Sequence, residues 1–308
     1  MKILLLGKDG QIGWELQRSL APLGEVCALG RVSTAYCGDL ANLVGLSDTV
    51  MTLRPDVIVN AAAYTAVDAA EDEPELASAV NAEAPGLLAD LAERTGAWLV
   101  HYSSDYVFDG NGSKPWREID TPAPLSIYGR SKLEGERLVA ARCAKHLIFR
   151  SSWVYAARGD NFAKTILRLA AERDKLSVVA AQVGAPTGAD LIADVTAHAL
   201  RRIMGHRTPD AEKYSGVYHL AAGGAVSRHR YATFLLETAQ SFGAALRVNV
   251  ASIEPARADE FPTRAARPLN SRLDTQKLES TFDLSLPHWE AGVERMLSEL
   301  LPMTVFKP

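Results

Sequence analysis

The sequence predicts an α/β protein: a doubly wound, Rossmann-type parallel sheet with a smaller C-terminal lobe. Three observations carry this. Short, wholly apolar runs alternate with helical patterns through the first half of the chain. A glycine-rich turn joins the first run to the first helix. The 308 residues are enough for a large core and a satellite lobe.

Lys2–Leu6 reads as a strand, and Ile12, Leu16 and Leu20, four apart, as one face of a helix. Glu25–Leu29 is a second strand. Leu43, Leu46, Val50 and Leu53 step at helical spacing until Pro55 breaks the pattern, and Val57–Val59 is a third strand. Pro74 opens a helix that carries Leu76, Val80, Leu87, Leu88 and Leu91. Trp98–Tyr102 is a fourth strand, 128–144 a helix and His146–Phe149 a fifth strand. Strands this apolar are buried on both faces, hence parallel and covered by helices. Beyond about residue 150 the pattern loosens. Helices are expected over 161–173, 190–204, 228–242 and 289–300, a short strand over 217–220, and a proline-rich loop over 254–272. We expect residues 1–150 to form the dinucleotide-binding domain, with later segments returning to it, and 151–308 to form mainly a substrate-binding lobe.

Composition excludes several classes. Hydrophobic residues at 47% and charged ones at 23% fit a globular chain and rule out wholesale disorder. Lys+Arg 33 against Asp+Glu 37 gives −4, so no basic excess favours nucleic acid. Cys27, Cys37 and Cys143 show no metal spacing and form no disulfide framework. The apolar run after Lys2 stops at Gly7, too short for a signal peptide, and nothing approaches a membrane span. A cytoplasmic protein is expected. His198, His206 and His229 read as surface residues.

Gly7, Gly10 and Gly13 lie between the first strand and the first helix. Glycines there permit a tight turn and close approach to a pyrophosphate, and the helix N-terminus offers N–H groups to it. The second strand ends Leu29-Gly30-Arg31 without the acid that a free 2′-hydroxyl would want. Arg31 is placed to meet a 2′-phosphate, which favours NADPH and leaves NADH open. The alternative is a solvated arginine. Asp39 could accept from an adenine amine or cap the following helix. Small residues in Ala62-Ala63-Tyr64-Thr65 would let the backbone approach the cofactor, or would only ease packing.

Tyr128 and Lys132 are four apart, on one face of a helix. An ammonium beside a phenol favours the phenolate and would lower its pKa from about 10. Lys132 can also bond ribose hydroxyls, and Ser104, at a strand end, can polarise a carbonyl. Together they suit hydride delivery to a ketone with protonation of its oxygen.

These stretches, with Tyr102-Ser103-Ser104-Asp105-Tyr106-Val107-Phe108 and Arg150-Ser151-Ser152-Trp153-Val154-Tyr155, resemble the extended short-chain dehydrogenase/reductases. Among them the chain is most similar to the dTDP-4-dehydrorhamnose reductase branch. The resemblance runs from the first strand to 267–273. It implies NAD(P)H-dependent reduction of the C4 ketone of dTDP-6-deoxy-L-lyxo-4-hexulose to dTDP-L-rhamnose, for cell-surface polysaccharide. It also implies that Tyr128 is the proton donor, Lys132 its partner and Ser104 the third member. Asp105 and Trp153 would contact the sugar. Gly10, Gln11, Ile12, Asp39, Leu40, Ala63, Tyr64, Thr65 and Tyr102 match cofactor positions. Gly30 departs from the acid that many relatives carry. Some relatives bind Mg²⁺ at a dimer interface, which would place a metal on Glu15, Asp190 and Glu299 of a homodimer, although Asp190 is shorter than the usual glutamate.

Trp153 could cover the apolar face of a deoxysugar, or belong to the core. Arg267, Asn270 and Arg272 could hold a diphosphate. Among rivals, a dehydratase would need a further acid beside Asp105, where Tyr106 stands. An epimerase would keep its nicotinamide and need no external reductant. A regulatory subunit of methionine adenosyltransferase would not need the Ser104, Tyr128 and Lys132 that this chain has.

Overall fold

In the computed structural model, residues 1–205 and 209–301 are described, the side chains of 209–211 excepted. His206 lies outside them.

Five strands and five helices alternate through the first half. They are β1 (Lys2–Leu6), α1 (Gln11–Leu20), β2 (Glu25–Leu29), α2 (Leu43–Leu53), β3 (Val57–Asn60), α3 (Pro74–Ser78), α4 (Ala84–Thr95), β4 (Trp98–Ser104), α5 (Ile127–Arg142) and β5 (His146–Ser151). A sixth strand, Gly216–His219, comes from the second half and pairs in parallel with β5. The sheet order is sixth strand, β5, β4, β3, β1, β2, with every neighbouring pair parallel. Direction of growth reverses between β1 and β3. Open sheets of this kind receive ligands at that point, beyond the carboxyl ends of the strands.

Alternation within each strand divides the core in two. Ile3, Leu5, Val57, Val59 and Val100 pack with α1 and α7 (Ala189–Gly205) on one face. Leu4, Leu6, Ile58 and Leu99 face α2 and α4 on the other. A further core, around Tyr231, Leu235, Trp289 and Val293, joins α6 (Phe162–Glu172), α8 (Arg228–Ser241) and α10 (Trp289–Leu300). The remaining helix, α9 (Gln276–Phe282), packs near the sixth strand.

The helix expected from Pro74 is interrupted. Ala79–Glu83 forms a π-helical turn between α3 and α4. That turn carries Asn81, fully buried, whose side chain accepts from Tyr64 N at 2.9 Å and donates to Tyr64 O at 3.0 Å. π-Turns of this kind commonly occur beside functional sites.

Cys143 is buried and Cys27 and Cys37 are half-buried; all three are free. His198 is exposed, but His229 is half-buried, its Nε2 3.0 Å from Ile253 O. No helix among the described residues is long and apolar enough to cross a membrane.

Candidate active site

The glycine turn sits at the switch point. Gly7 has φ +89, and a Cβ on it would come 2.6 Å from Ala62 N, so the 61–65 segment lies directly over the turn. A Cβ on Gly13 would run into the carbonyl of Gly7. No side chain caps the N-terminus of α1. A glycine turn with an uncapped helix N-terminus has the free N–H groups that a pyrophosphate would want. Gln11 faces the second half, its Oε1 accepting from Asn161 Nδ2 at 2.9 Å. Leu40 is buried, and Ala63 and Tyr64 are half-buried. Tyr64 is tied at its hydroxyl to Glu73 at 2.8 Å.

At two of the expected cofactor positions the structure narrows the reading. Asp39 does not cap α2. It accepts from Ala41 N at 3.1 Å, and Asn42 is the cap, accepting from Gly45 N at 2.9 Å. Tyr102 points its ring into the core, where its hydroxyl meets Thr196 Oγ1 at 2.8 Å, so only its carbonyl is turned toward Lys132.

The catalytic candidates come together at the carboxyl end of β4. Ser104 is its last residue and caps the short helical turn 105–107, accepting from Tyr106 N at 3.2 Å and donating to Asp105 Oδ1 at 3.0 Å. Tyr128 is the second residue of α5, whose N-terminus is capped by Ser126, which accepts from Gly129 N at 3.1 Å. The Tyr128 ring meets Tyr106 edge-on, centroids 5.5 Å apart. Lys132, buried one turn on, donates from Nζ to Tyr102 O at 2.6 Å. Ser131 extends the Asn81 network, accepting from its Nδ2 at 3.1 Å and donating to Tyr128 O at 2.9 Å.

Electrostatics depart from the expectation. Burial pushes the Tyr128 phenol up rather than down, with Asp105 and Tyr106 adding to this and the Ser104 hydroxyl opposing it. Lys132 is not among the groups that move it, and burial lowers its own pKa to about 8. Desolvation therefore sets the direction of the shift. The phenol is held neutral, able to give a proton.

Asp105 is 2% exposed, and burial raises its carboxyl to about 6; the Ser271 and Ser104 hydroxyls and Arg228 act the other way. Its Oδ2 has no hydrogen-bond partner among the described residues. A folded-state pKa above the unfolded value of about 3.9 means that this group stabilises the fold while protonated. The contribution is full below about pH 4 and is lost as pH rises through about 6. Asp105→Asn should therefore gain stability relative to the parent above pH 6, by up to about 2–3 kcal/mol. Urea midpoints at about pH 4, 6 and 8 check this; a constant difference would show that Asp105 keeps its ordinary pKa.

Trp153 follows β5 in the left-handed region, φ +49. The Arg228 guanidinium lies 3.8 Å over its ring and 4.6 Å over Phe162. A Cβ on Gly184 would come 2.8 Å from the indole. Sequence reasoning missed Arg228. It forms no ion pair or hydrogen bond through its side chain among the described residues, and burial lowers its pKa to about 10, with Arg267 adding to the effect. By contrast, Arg267 pairs with Asp68 at 2.6 Å, Arg272 bonds Ser113 O at 3.1 Å, and Asn270 bonds Lys114 O at 2.8 Å. Those three hold loops together.

Glu15, Asp190 and Glu299 do line one surface hollow, but arginines hold them. Arg295 reaches Asp190 at 3.3 Å and Glu299 at 3.4 Å, and Arg18 reaches Glu15 at 3.5 Å. No group of three ligands among the described residues could hold a metal ion. A guanidinium already supplies the positive charge, so the magnesium expectation is not supported.

Glycine cradle, switch point and the serine, tyrosine and lysine cluster define a nicotinamide-type oxidoreductase of the extended short-chain class. Residues 1–301 match the family described as RmlD substrate binding domain. The chain is 54% identical over 304 residues to the dTDP-4-dehydrorhamnose reductase of Salmonella typhimurium, covering 99% of each. It is 46% identical over 301 residues to that of Burkholderia thailandensis, covering 98% of this chain and 99% of that one. A crystal structure of the Bacillus anthracis dTDP-4-dehydrorhamnose reductase in complex with NADP superposes with a TM-score of 0.84 at 33% identity, covering 97% and 99%. The chain belongs to the dTDP-4-dehydrorhamnose reductase family.

Proposed function

We propose that the chain reduces the C4 ketone of dTDP-4-dehydro-β-L-rhamnose to dTDP-L-rhamnose with NAD(P)H, the last step of dTDP-rhamnose synthesis. The observation that carries this is the meeting of Ser104, Tyr128 and Lys132 at the end of β4, in a chain 54% identical throughout to a named reductase.

A reduced nicotinamide, when bound, supplies the hydride. The residues that would hold it are Gly7, Gly10, Gln11, Ile12 and Gly13, Arg31, Asp39 and Leu40, Ala63, Tyr64 and Thr65, the carbonyl side of Tyr102, and Lys132. As charge develops on the ketone oxygen, Ser104 can donate a hydrogen bond to it and Tyr128 gives it the phenolic proton. Lys132 then offsets the phenolate left behind. Asp105, with its free oxygen, accepts from a sugar hydroxyl. Trp153 walls the sugar, and Arg228, with no carboxylate of its own, meets the diphosphate. Residues 151–301 supply most of these sugar-nucleotide contacts, as a lobe over a Rossmann domain that takes back 189–205 and 216–219.

The test is incubation with the dTDP-4-keto sugar, its 3,5-epimerase and NADPH, following loss of reduced-nicotinamide absorbance and formation of dTDP-rhamnose. An epimerised product without net oxidation of NADPH would overturn the reading. In the same assay Trp153→Ala is expected to lower kcat/KM for the sugar while the dissociation constant of NADPH stays unchanged. Normal kinetics per folded molecule would return Trp153 to the core.

A further inference from the structure

We propose that Asp9 reads the adenosine ribose of the bound dinucleotide, delivering from the glycine turn the carboxylate that the end of β2 lacks. The inference deepens the dinucleotide reading above and rests on it.

In sheets of this class, an acid at the end of the second strand usually bonds the ribose 2′-hydroxyl. Here β2 ends at Leu29, and Gly30 follows. The glycine turn is stitched to that end, because Gly7 N and Lys8 N both donate to Leu29 O, at 2.8 and 3.2 Å. Residue 9 is thereby carried over residue 30. A Cβ built on Gly30 would run into Asp9 Oδ2, with Asp9 Cγ 3.2 Å away and Lys8 Cε 3.6 Å away. The Asp9 carboxylate thus occupies the volume that a side chain at position 30 would fill. Gly30 is not among the glycines with positive φ, so its backbone alone does not call for glycine. The nearness of Asp9 does.

Asp9 is exposed, and its carboxylate has no hydrogen bond or ion pair among the described residues. It is a charged acceptor left free at the place where a ribose is read. A carboxylate there favours a 2′-hydroxyl, which can donate to it, and repels a 2′-phosphate. Arg31, exposed one residue beyond Gly30, and Lys8 supply the opposing charge. Selectivity between the two nicotinamide dinucleotides is then a balance of Asp9 against Arg31 and Lys8. The missing acid at position 30 does not commit the chain to NADPH.

The balance can be read by equilibrium binding without sugar, titrating NADH and NADPH by nucleotide fluorescence. Asp9→Asn is expected to weaken NADH by about tenfold or more and to tighten NADPH, since hydrogen bonds to charged groups carry effects of that size. Gly30→Ala, which pushes the carboxylate aside, should shift the ratio the same way, with an unchanged melting temperature. Arg31→Ala should weaken NADPH more than NADH. Restoring the acid from the strand, in the double variant Asp9→Asn/Gly30→Asp, should recover NADH affinity. If Asp9→Asn binds both dinucleotides but leaves their ratio as in the parent, the Asp9 assignment is overturned and the dinucleotide site stands. If the parent binds neither, both fall.

Discussion

Replacing Tyr128 by phenylalanine is expected to cut turnover by about 10²–10⁴-fold, the usual scale of a lost general acid. Binding of NADPH should be retained. The substitution keeps the ring that packs edge-on against Tyr106 and removes only the hydroxyl. Burial holds that hydroxyl protonated, so without it the developing alkoxide must take its proton from water in a site closed on several sides. Ser104 would still polarise the ketone, which sets the residual rate. Turnover within a few-fold of the parent would move the proton donor elsewhere, and Ser104 would then be the group to test.

The second large effect concerns stability. Arg150 on β5 and Glu136 on α5 are each 4% exposed and form a two-pronged pair, at 2.9 and 2.6 Å. Arg150→Met leaves the carboxylate buried without its partner, which is expected to cost about 3–5 kcal/mol. The urea midpoint should fall accordingly at an unchanged slope. Adding Glu136→Gln should recover part of the loss, because the stranded charge is then gone. A loss below about 1 kcal/mol would mean that water reaches the pair. Glu136 lies one turn beyond Lys132 and supports its charge, so the Lys132 pKa should fall in the double variant and not in the single one.

Most of the scaffold was legible because its signals are local. The runs Ile3–Leu6, Val57–Val59 and 98–104 are apolar for most of their length, and a strand covered on both faces uses such runs. Tyr128 and Lys132 announce themselves by spacing, and the glycine turn by its place between strand and helix. What escaped depends on parts of the chain that meet only after folding. Arg228 comes to Trp153 and Phe162 from a helix far along the chain, and nothing in its sequence neighbours marks it. Asn81 reaches the site because a π-turn shifts the helix register, which periodicity alone reads as one continuous helix. The direction of the Tyr128 shift depends on how much water burial removes, a quantity that spacing does not contain. Glu15, Asp190 and Glu299 do share one hollow, but Arg295, from the same helix as Glu299, already lies between the acids.

The backbone at Trp153 sets a limit on how this enzyme can be made hardier. A non-glycine residue in the left-handed region carries about 1–2 kcal/mol of strain. Trp153→Gly would relieve it, but would also remove an indole that packs on Tyr231 and lies under Arg228, and losing a packed aromatic costs about 3–5 kcal/mol. Packing outweighs strain, so the turn keeps its tension because the ring's contacts over-determine it. Heat resistance cannot be won here by relaxing the backbone, and a library screened for melting temperature alone should still return the tryptophan at position 153.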